Sequence, residues 1–215
     1  MSYKTWVFDC DGVLIDSNLI KTEAFRHVAL PYGQEAAQKL TDYHRRHGGL
    51  SRYKKLEYLL GTILGMTDYA GELEQGLAEF SKYTLARLGD CPEAPGLRKF
   101  LDSLPPGSRR YVVSGGKTEE VRAVLEHKGL AAYFDAIFGS PGSKDAALTQ
   151  IEATGGLPRP ALYFGDARLD YEVANRFGLD FVFMYGMTQL PDWQEFFADK
   201  KAVRIAADFD HIQLE

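Results

Sequence analysis

The pattern of apolar and polar positions divides this chain into a strand, a helical stretch and a second region of alternating elements. The apolar run from Thr5 to Phe8 predicts a buried first strand. Ser17 can then cap a helix, and no convincing strand follows before about Gly89. Apolar residues instead recur at helical spacing, namely Leu56, Leu59, Leu60, Ile63, Leu64, Leu73, Leu77, Phe80, Leu85 and Leu88. The pattern predicts a helical segment inserted after the first strand.

A stretch rich in proline and glycine, residues 91–96, ends this insertion. Beyond it, short apolar runs predict strands at residues 110–113, 134–138, 160–164, 180–184 and 203–206. Helices are predicted between them at residues 97–104, 118–127, 169–177 and 193–197, with another beginning near Ser143. This alternation is typical of an α/β fold with a doubly wound parallel sheet. We expect residues 1–16 and 92–215 to form the core and residues 17–91 to form a separate helical domain.

Composition narrows the class of protein. The 215 residues are 45% hydrophobic, which is ordinary for a globular protein, and the net charge of −5 argues against a general nucleic-acid binder. Cys10 and Cys91 lack the spacing of a metal site, and their scarcity fits a reducing compartment. No signal peptide and no apolar run of membrane-spanning length is visible. We therefore expect a cytoplasmic monomer or homodimer without nucleic-acid or membrane partners.

Candidate catalytic and ligand-binding residues follow the predicted strands. They are Asp9 and Asp11 after the first, Ser114 with Gly115 and Gly116 after the second, Lys144 after the third, and Asp166 and Asp170 after the fourth. In an open α/β sheet, ligands bind at the carboxyl ends of the strands. Carboxylates alone would repel a phosphate, but carboxylates that hold Mg²⁺ would attract it. Hydroxyl and cationic groups suit phosphoryl oxygens. The set therefore meets the needs of a phosphoryl-transfer centre.

Four motifs together resemble the haloacid dehalogenase superfamily. They are Asp-x-Asp-Gly-Val-x-x-Asp-Ser from Asp9 to Ser17, Ser114, the later Lys144, and Gly-Asp-x-x-x-Asp from Gly165 to Asp170. The motifs occur in the family's order, and the resemblance covers nearly the whole chain. It implies a Rossmann-like core with a helical cap, in the branch of phosphoglycolate phosphatases and β-phosphoglucomutases.

The resemblance also implies roles for the four acids. Asp9 would be the nucleophile that forms an aspartyl-phosphate. Asp11 would protonate the leaving group and then activate water. Asp9, Asp166 and the backbone carbonyl of Asp11 would hold Mg²⁺, and Asp170 would orient the metal's ligands. A plainer interpretation of Asp170, as an exposed acid in the first turn of a helix, stays open.

Phosphoryl binding is implied for the remaining motif residues. Ser114 and Lys144 would contact the transferring oxygens, helped by backbone N–H groups at Gly115 and Gly116. Ser114 could also be a helix cap, and a cap can still bind phosphate. Lys117 lies nearer to Ser114 in sequence and could replace Lys144 as the cation, although the order of motifs favours Lys144.

The segment from His44 to Lys55 contains five cations and no acid. We interpret Arg45 and Arg46 as a solvated helix face. His44 and His47 lack a third metal ligand and are expected at the surface.

Within this segment, residues 49–52 resemble the substrate-specificity loop of β-phosphoglucomutase-like proteins. Arg52 is therefore the first candidate for contacting the distal part of a substrate, and Lys55 is the second. A cation there fits a polar, anionic or hydroxyl-rich substrate.

These features predict a Mg²⁺-dependent phosphomonoester hydrolase that acts on a small phosphorylated metabolite such as a sugar phosphate or phosphoglycolate. A sugar-phosphate mutase of the β-phosphoglucomutase type is the alternative. A phosphorylated receiver domain or a binding protein is more remote, because receivers usually carry their phospho-acceptor after a later strand and lack this insertion. Dehalogenation is disfavoured because dehalogenases generally lack an acid at the position of Asp11.

Overall fold

A computed structural model describes residues 3–212 and contains one parallel sheet of six strands in the order β3-β2-β1-β4-β5-β6. The strands are β1 Thr5–Phe8, β2 Arg109–Lys117, β3 Ala136–Ser140, β4 Ala161–Gly165, β5 Asp180–Met184 and β6 Arg204–Ala206. The first strand of the chain pairs with both β2 and β4 and is therefore central. The predicted α/β fold with a parallel sheet is confirmed.

Helices cover the sheet and fill the insertion. Four helices lie in the inserted segment that follows β1, namely α1 Asn18–Ala29, α2 Gln34–Arg46, α3 Arg52–Glu57 and α4 Ala70–Leu88. The others are α5 Leu97–Ser103, α6 Thr118–His127, α7 Lys144–Ala153, α8 Arg168–Arg176 and α9 Trp193–Phe197. A π-helical segment, Tyr58–Ile63, continues α3, and 3-10 turns lie at Leu30–Tyr32, Ala131–Tyr133 and Phe209–His211. Among residues 3–212, no helix is long and apolar enough to cross a membrane.

The central strand is buried on both faces, which is why its sequence is continuously apolar. Phe8 points to one face, where its ring stacks on Phe164 of β4 at a centroid distance of 4.9 Å. Val7 points to the other face and packs in a second cluster with Tyr163 and Phe183. Two hydrophobic layers therefore fix the position at which β1 ends.

Helices α1 to α4 have a hydrophobic core of their own. Phe25, Leu40, Leu56 and Phe80 are buried there, and they come from α1, α2, α3 and α4 respectively. We call this part of the chain, residues 18–88, the helical insertion. The proposed domain limits at residues 17–91 stay a prediction.

One strand is longer than its apolar pattern indicated. β2 continues from Val113 to Lys117, with a shift in its register against β3 between these two residues. Ser114 consequently lies inside the strand, and α6 begins at Thr118 with Lys117 at its N-cap position. The interpretation of Ser114 as a helix cap is therefore wrong.

Candidate active site

Three buried aspartates meet at the carboxyl edge of the sheet. Asp9 follows β1, Asp166 follows β4, and Asp170 lies in the first turn of α8. One carboxylate oxygen of each lies within 4.8 Å of those of the other two. The Ala167 N–H donates to Asp170 Oδ2 at 3.1 Å and holds that side chain inward. Asp170 is fully buried, so its interpretation as an exposed helix acid is wrong.

Burial and mutual repulsion make this carboxylate cluster difficult to ionise. Burial, together with Asp170 and Asp11, raises the pKa of Asp9 to about 7. Burial and the charges of Asp9 and Asp170 raise the pKa of Asp166 well above its usual range. Both shifts would be relieved by a cation among the three groups. The donor set, which consists of buried carboxylate oxygens, fits a hard divalent cation such as Mg²⁺.

Lys144 is the lysine that the fold brings to the cluster. It begins α7, and its Nζ lies 3.0 Å from Asp9 Oδ1 and 2.5 Å from Asp170 Oδ1. Burial alone would lower the pKa of Lys144, but the charges of Asp170 and Asp9 raise it well above its usual range. Lys117 is only partly buried, at the end of β2 and at the N-cap position of α6, and no ion pair joins it to an acid in the described part of the chain.

Asp11 stands apart from the cluster and has partners in the helical insertion. Ser17 Oγ donates to Asp11 Oδ1 at 2.5 Å, and the Lys21 ammonium donates to Asp11 Oδ2. Burial would raise the pKa of Asp11, but Lys21 and Ser17 together lower it. Ser17 occupies the N-cap position of α1, yet its side chain forms no capping bond because it faces Asp11. The prediction that Ser17 caps this helix is wrong in that respect.

Two polar residues of α1 reach the site without having been predicted. Asn18 Nδ2 donates to Asp166 Oδ2 at 2.7 Å, and Lys21 pairs with Asp11. Residues three positions apart lie on the same face of a helix, so both side chains point towards the strand ends. The three-residue spacing of Asn18 and Lys21, directly after the Asp9–Ser17 motif, was the sequence feature that could have predicted their place in the site.

Ser114, Gly115 and Gly116 lie where β2 passes under the insertion. Ser114 is buried, and its Oγ accepts a hydrogen bond from the Gly116 N–H at 3.0 Å. A Cβ on Gly115 would lie only 2.3 Å from the carbonyl oxygen of Gly49 in the insertion. A Cβ on Gly48 would lie 2.8 Å from that of Ala167. The glycines therefore permit the loop of the insertion to lie directly against the core.

Arg52 lines the cavity, but its guanidinium group is hydrogen-bonded to the carboxylate of Glu120 in α6. Arg52 Nη1 donates to Glu120 Oε1 at 2.9 Å, and Nη2 donates to Oε2. Ser81 of α4 donates to the same carboxylate at 2.8 Å, and Phe80 lies under the guanidinium at 4.5 Å. No sequence pattern identified Glu120 as the partner of Arg52.

Lys55 and His44 form a buried pair in the insertion. Lys55 Nζ lies 2.7 Å from His44 Nδ1 and 5.3 Å from the centre of the Phe25 ring. Burial and Lys55 lower the pKa of His44 well below its usual value, so the imidazole is neutral. The expectation that His44 lies at the surface is wrong, because its ring packs against Phe25 in the insertion's core. His47 is exposed, as expected.

A cavity of about 50 Å³ joins these groups. It has room for a few water molecules, since each needs roughly 10–15 Å³ on this measure. Asp9, Asp11, Gly115, Lys55 and His44 all line it. Asp9 and Asp166 of the carboxylate cluster and the Lys55–His44 pair therefore face one shared space between the core and the insertion.

A central parallel strand that ends in two acids, a buried carboxylate cluster and a lysine bound to it define an α/β enzyme of the haloacid dehalogenase type. A family model described as haloacid dehalogenase-like hydrolase matches residues 3–178, and the chain belongs to this family. The predicted family is thus confirmed. Names of relatives support a phosphatase within it.

The chain is 28% identical over 186 residues to a phosphorylated carbohydrates phosphatase of Thermotoga maritima, with 82% of both proteins covered. Its structure is similar to that of a Bacteroides fragilis protein described as a haloacid dehalogenase-like hydrolase, with a TM-score of 0.73, 25% identity, and coverage of 95% of this chain and 97% of the other. A β-phosphoglucomutase of Clostridium difficile has a TM-score of 0.75 at 18% identity, and the match covers 100% of this chain and 94% of that one. At 18% identity, the similarity to this structure shows a shared fold only.

Proposed function

We propose that this protein is a Mg²⁺-dependent phosphomonoester hydrolase that acts on a small phosphorylated carbohydrate through an aspartyl-phosphate on Asp9. The observation that carries this proposal is the carboxylate cluster with Lys144 Nζ 3.0 Å from Asp9 Oδ1, beside a second acid, Asp11, that is held separately. The substrate class rests on the relative from Thermotoga maritima, whose name describes a phosphatase of phosphorylated carbohydrates.

Asp9 and Asp166, with the backbone carbonyl of Asp11, would hold Mg²⁺, and Asp170 would orient this set. The ion would supply positive charge to the phosphoryl oxygens during transfer. Asn18 fixes one carboxylate oxygen of Asp166 by the hydrogen bond of 2.7 Å. The carboxylate positions therefore depend on a residue of the insertion as well as on the core.

The proposed reaction has two steps at Asp9. A carboxylate oxygen of Asp9 attacks phosphorus, the bond from phosphorus to the ester oxygen breaks, and that oxygen takes a proton from Asp11. A water molecule then gives its proton to Asp11 and attacks the same phosphorus, so that the bond to Asp9 breaks and phosphate leaves. Ser17 and Lys21 favour the carboxylate form of Asp11 that the second step needs.

Charge around the transferred group would come from the core. Lys144 lies beside Asp9 and can donate to the phosphoryl oxygens, as can the Ser114 hydroxyl. Gly115 and Gly116 line the cavity, and the backbone N–H of Gly115 is a further candidate for this contact, since that of Gly116 donates to Ser114 Oγ. The insertion above them would limit the access of bulk water.

A mutase is the second candidate, because the Gly49–Arg52 loop resembles that of β-phosphoglucomutases and the fold is shared. The bidentate pairing of Arg52 with Glu120 weighs against a mutase, because the resemblance rests on the Arg52 side chain and Glu120 already binds that side chain. Incubation with a hexose 1-phosphate separates the two. A hydrolase releases inorganic phosphate, whereas a mutase produces the hexose 6-phosphate.

The proposal is tested by measuring phosphate release from hexose phosphates, glycerol phosphate, phosphoglycolate and nucleotides, each with Mg²⁺ and with a chelator. We expect turnover of small phosphorylated carbohydrates that requires Mg²⁺. Undiminished turnover in the presence of the chelator would exclude the metal-dependent mechanism. Absence of phosphate release from every ester would exclude the hydrolase.

A further inference from the structure

Four lysine or arginine side chains are buried in the described part of the chain, and three of them have an acidic partner. Lys21 pairs with Asp11, Arg52 pairs with Glu120, and Lys144 pairs with two acids of the carboxylate cluster. The fourth, Lys55, is only 2% exposed. Its hydrogen-bond partner is the neutral ring of His44.

An ammonium group in this position lacks compensation. Burial and the nearby Lys21 lower the pKa of Lys55 to about 7, although Asp11 and Asp166 act in the opposite direction. The Phe25 ring offers it a weak cation–π contact at 5.3 Å. Buried charges in proteins are normally paired, and the structure provides the other buried cations of this region with carboxylates. An oxyanion beside Lys55 would complete the pairing and favour its charged form.

The location of Lys55 indicates where that oxyanion would come from. Lys55 and His44 line the same cavity as Asp9 and Gly115, but they belong to the insertion, whereas the candidate phosphoryl-binding groups belong to the core. A molecule whose phosphoryl group lies at Asp9 would therefore extend its other end towards Lys55. Arg52 and Arg45 also line the cavity. The Arg52 guanidinium is already hydrogen-bonded to Glu120 and Ser81, and Arg45 is exposed to solvent.

We propose that Lys55, held in place by His44, is the specificity-determining cation of this site, and that the substrate carries a second oxyanion group, a carboxylate or a further phosphate, which Lys55 binds. This inference rests on the proposed hydrolase function and specifies the substrate class for it. His44 is a positioning residue, because its Nδ1 accepts a hydrogen bond from the ammonium and aligns it. Arg52 instead has a structural role, because its pairing with Glu120 joins the insertion to the core.

The test compares three esters that have the same three-carbon length. Glycerol 3-phosphate has an uncharged distal end, 3-phosphoglycerate has a distal carboxylate, and propane-1,3-diol bisphosphate has a distal phosphate. Wild-type protein should prefer one or both of the charged esters. Lys55→Met should then reduce kcat/KM for the preferred ester by about 10- to 100-fold, chiefly through KM, as expected for loss of one charge-assisted hydrogen bond. The value for glycerol 3-phosphate should change by less than about threefold.

Lys55→Arg serves as the conservative variant and should retain part of the preference, because it keeps the positive charge. Comparison of the two charged esters identifies which oxyanion is bound. Equal losses on the charged and uncharged esters in Lys55→Met would overturn the proposal. A wild-type protein without any preference for a charged distal group would also overturn it.

A binding measurement separates this inference from the proposed function. Calorimetric titration of the three esters into Asp9→Asn, with and without Lys55→Met, needs no turnover. Tighter binding of a charged ester that disappears with Lys55→Met supports the inference even if the wild-type protein hydrolyses nothing. Hydrolysis by the wild-type protein without such a difference in binding would leave the hydrolase standing and remove Lys55 from the specificity role.

Discussion

Replacement of Gly115 by alanine is expected to impair catalysis while leaving the fold intact. The added Cβ would lie 2.3 Å from the carbonyl oxygen of Gly49, in the loop that the insertion places over the site. The colliding atom belongs to the backbone and cannot rotate away as a side chain would. The core and the insertion must therefore move apart at this point.

The distance gives the size of the effect. Contacts of a Cβ below 3.0 Å are essentially never observed, so the loop and β2 must separate by at least about 0.7 Å. A displacement near 1 Å in a catalytic site can reduce the rate by about 10²-fold. We expect Gly115→Ala to lower kcat/KM by roughly 10- to 100-fold for every phosphate ester that the wild-type protein accepts. The backbone N–H of residue 115 is retained, so the loss would report on the position of the insertion.

The assay is steady-state phosphate release, with the midpoint of thermal unfolding as the measure of folding. Gly71→Ala is the matched control, because Gly71 lies in α4 and a Cβ there would meet no atom within 4 Å. This control should keep full activity and gain slight stability from the better helix propensity of alanine. Wild-type kcat/KM in folded Gly115→Ala would refute the reasoning, because it would mean that the insertion need not approach Gly115 during the reaction.

Three further predictions concern the charged groups. Asp9→Asn should abolish turnover while the protein stays folded, and full phosphatase activity after exclusion of asparagine deamidation would contradict its role as nucleophile. Lys144→Met should lower kcat by about 10²-fold or more, whereas Lys117→Met should leave kcat near the wild-type value. A large loss in Lys117→Met and none in Lys144→Met would instead assign phosphoryl binding to Lys117. Glu120→Gln should lower the free energy of unfolding by about 3 kcal/mol, because it leaves the buried Arg52 uncompensated, and unchanged denaturant stability would contradict this. Burial would raise the pKa of Glu120, but Arg52 lowers it below the usual value of 4.5. The stability that this pair contributes is therefore complete above pH 4.5 and is lost as the pH falls through the lowered pKa of Glu120. Glu120→Gln should remove this part of the acid dependence of unfolding.

The order of strands and helices could be predicted because it follows from local patterns. An apolar run buried on both faces must be a strand in the interior of a parallel sheet, and the acids directly after it must lie at the carboxyl edge. Asp9, Asp166 and Lys144 were therefore foreseeable as neighbours from their positions after separate strands. The structure brings them together, with Lys144 Nζ 3.0 Å from Asp9 Oδ1.

The partners of the charged residues in the insertion were decided by the tertiary structure. Arg52 and Glu120 are 68 residues apart in the chain, and no local pattern relates them. His44 belongs to a segment rich in cations, yet its helix turns it towards Phe25 and Lys55. Sequence by itself determined which chemical groups the strands deliver to the edge of the sheet. Only the packing of the insertion against the core decided which buried cations have an acidic partner. Among the buried cations of residues 3–212, Lys55 faces the cavity without one, because the pairing depends on contacts between distant segments.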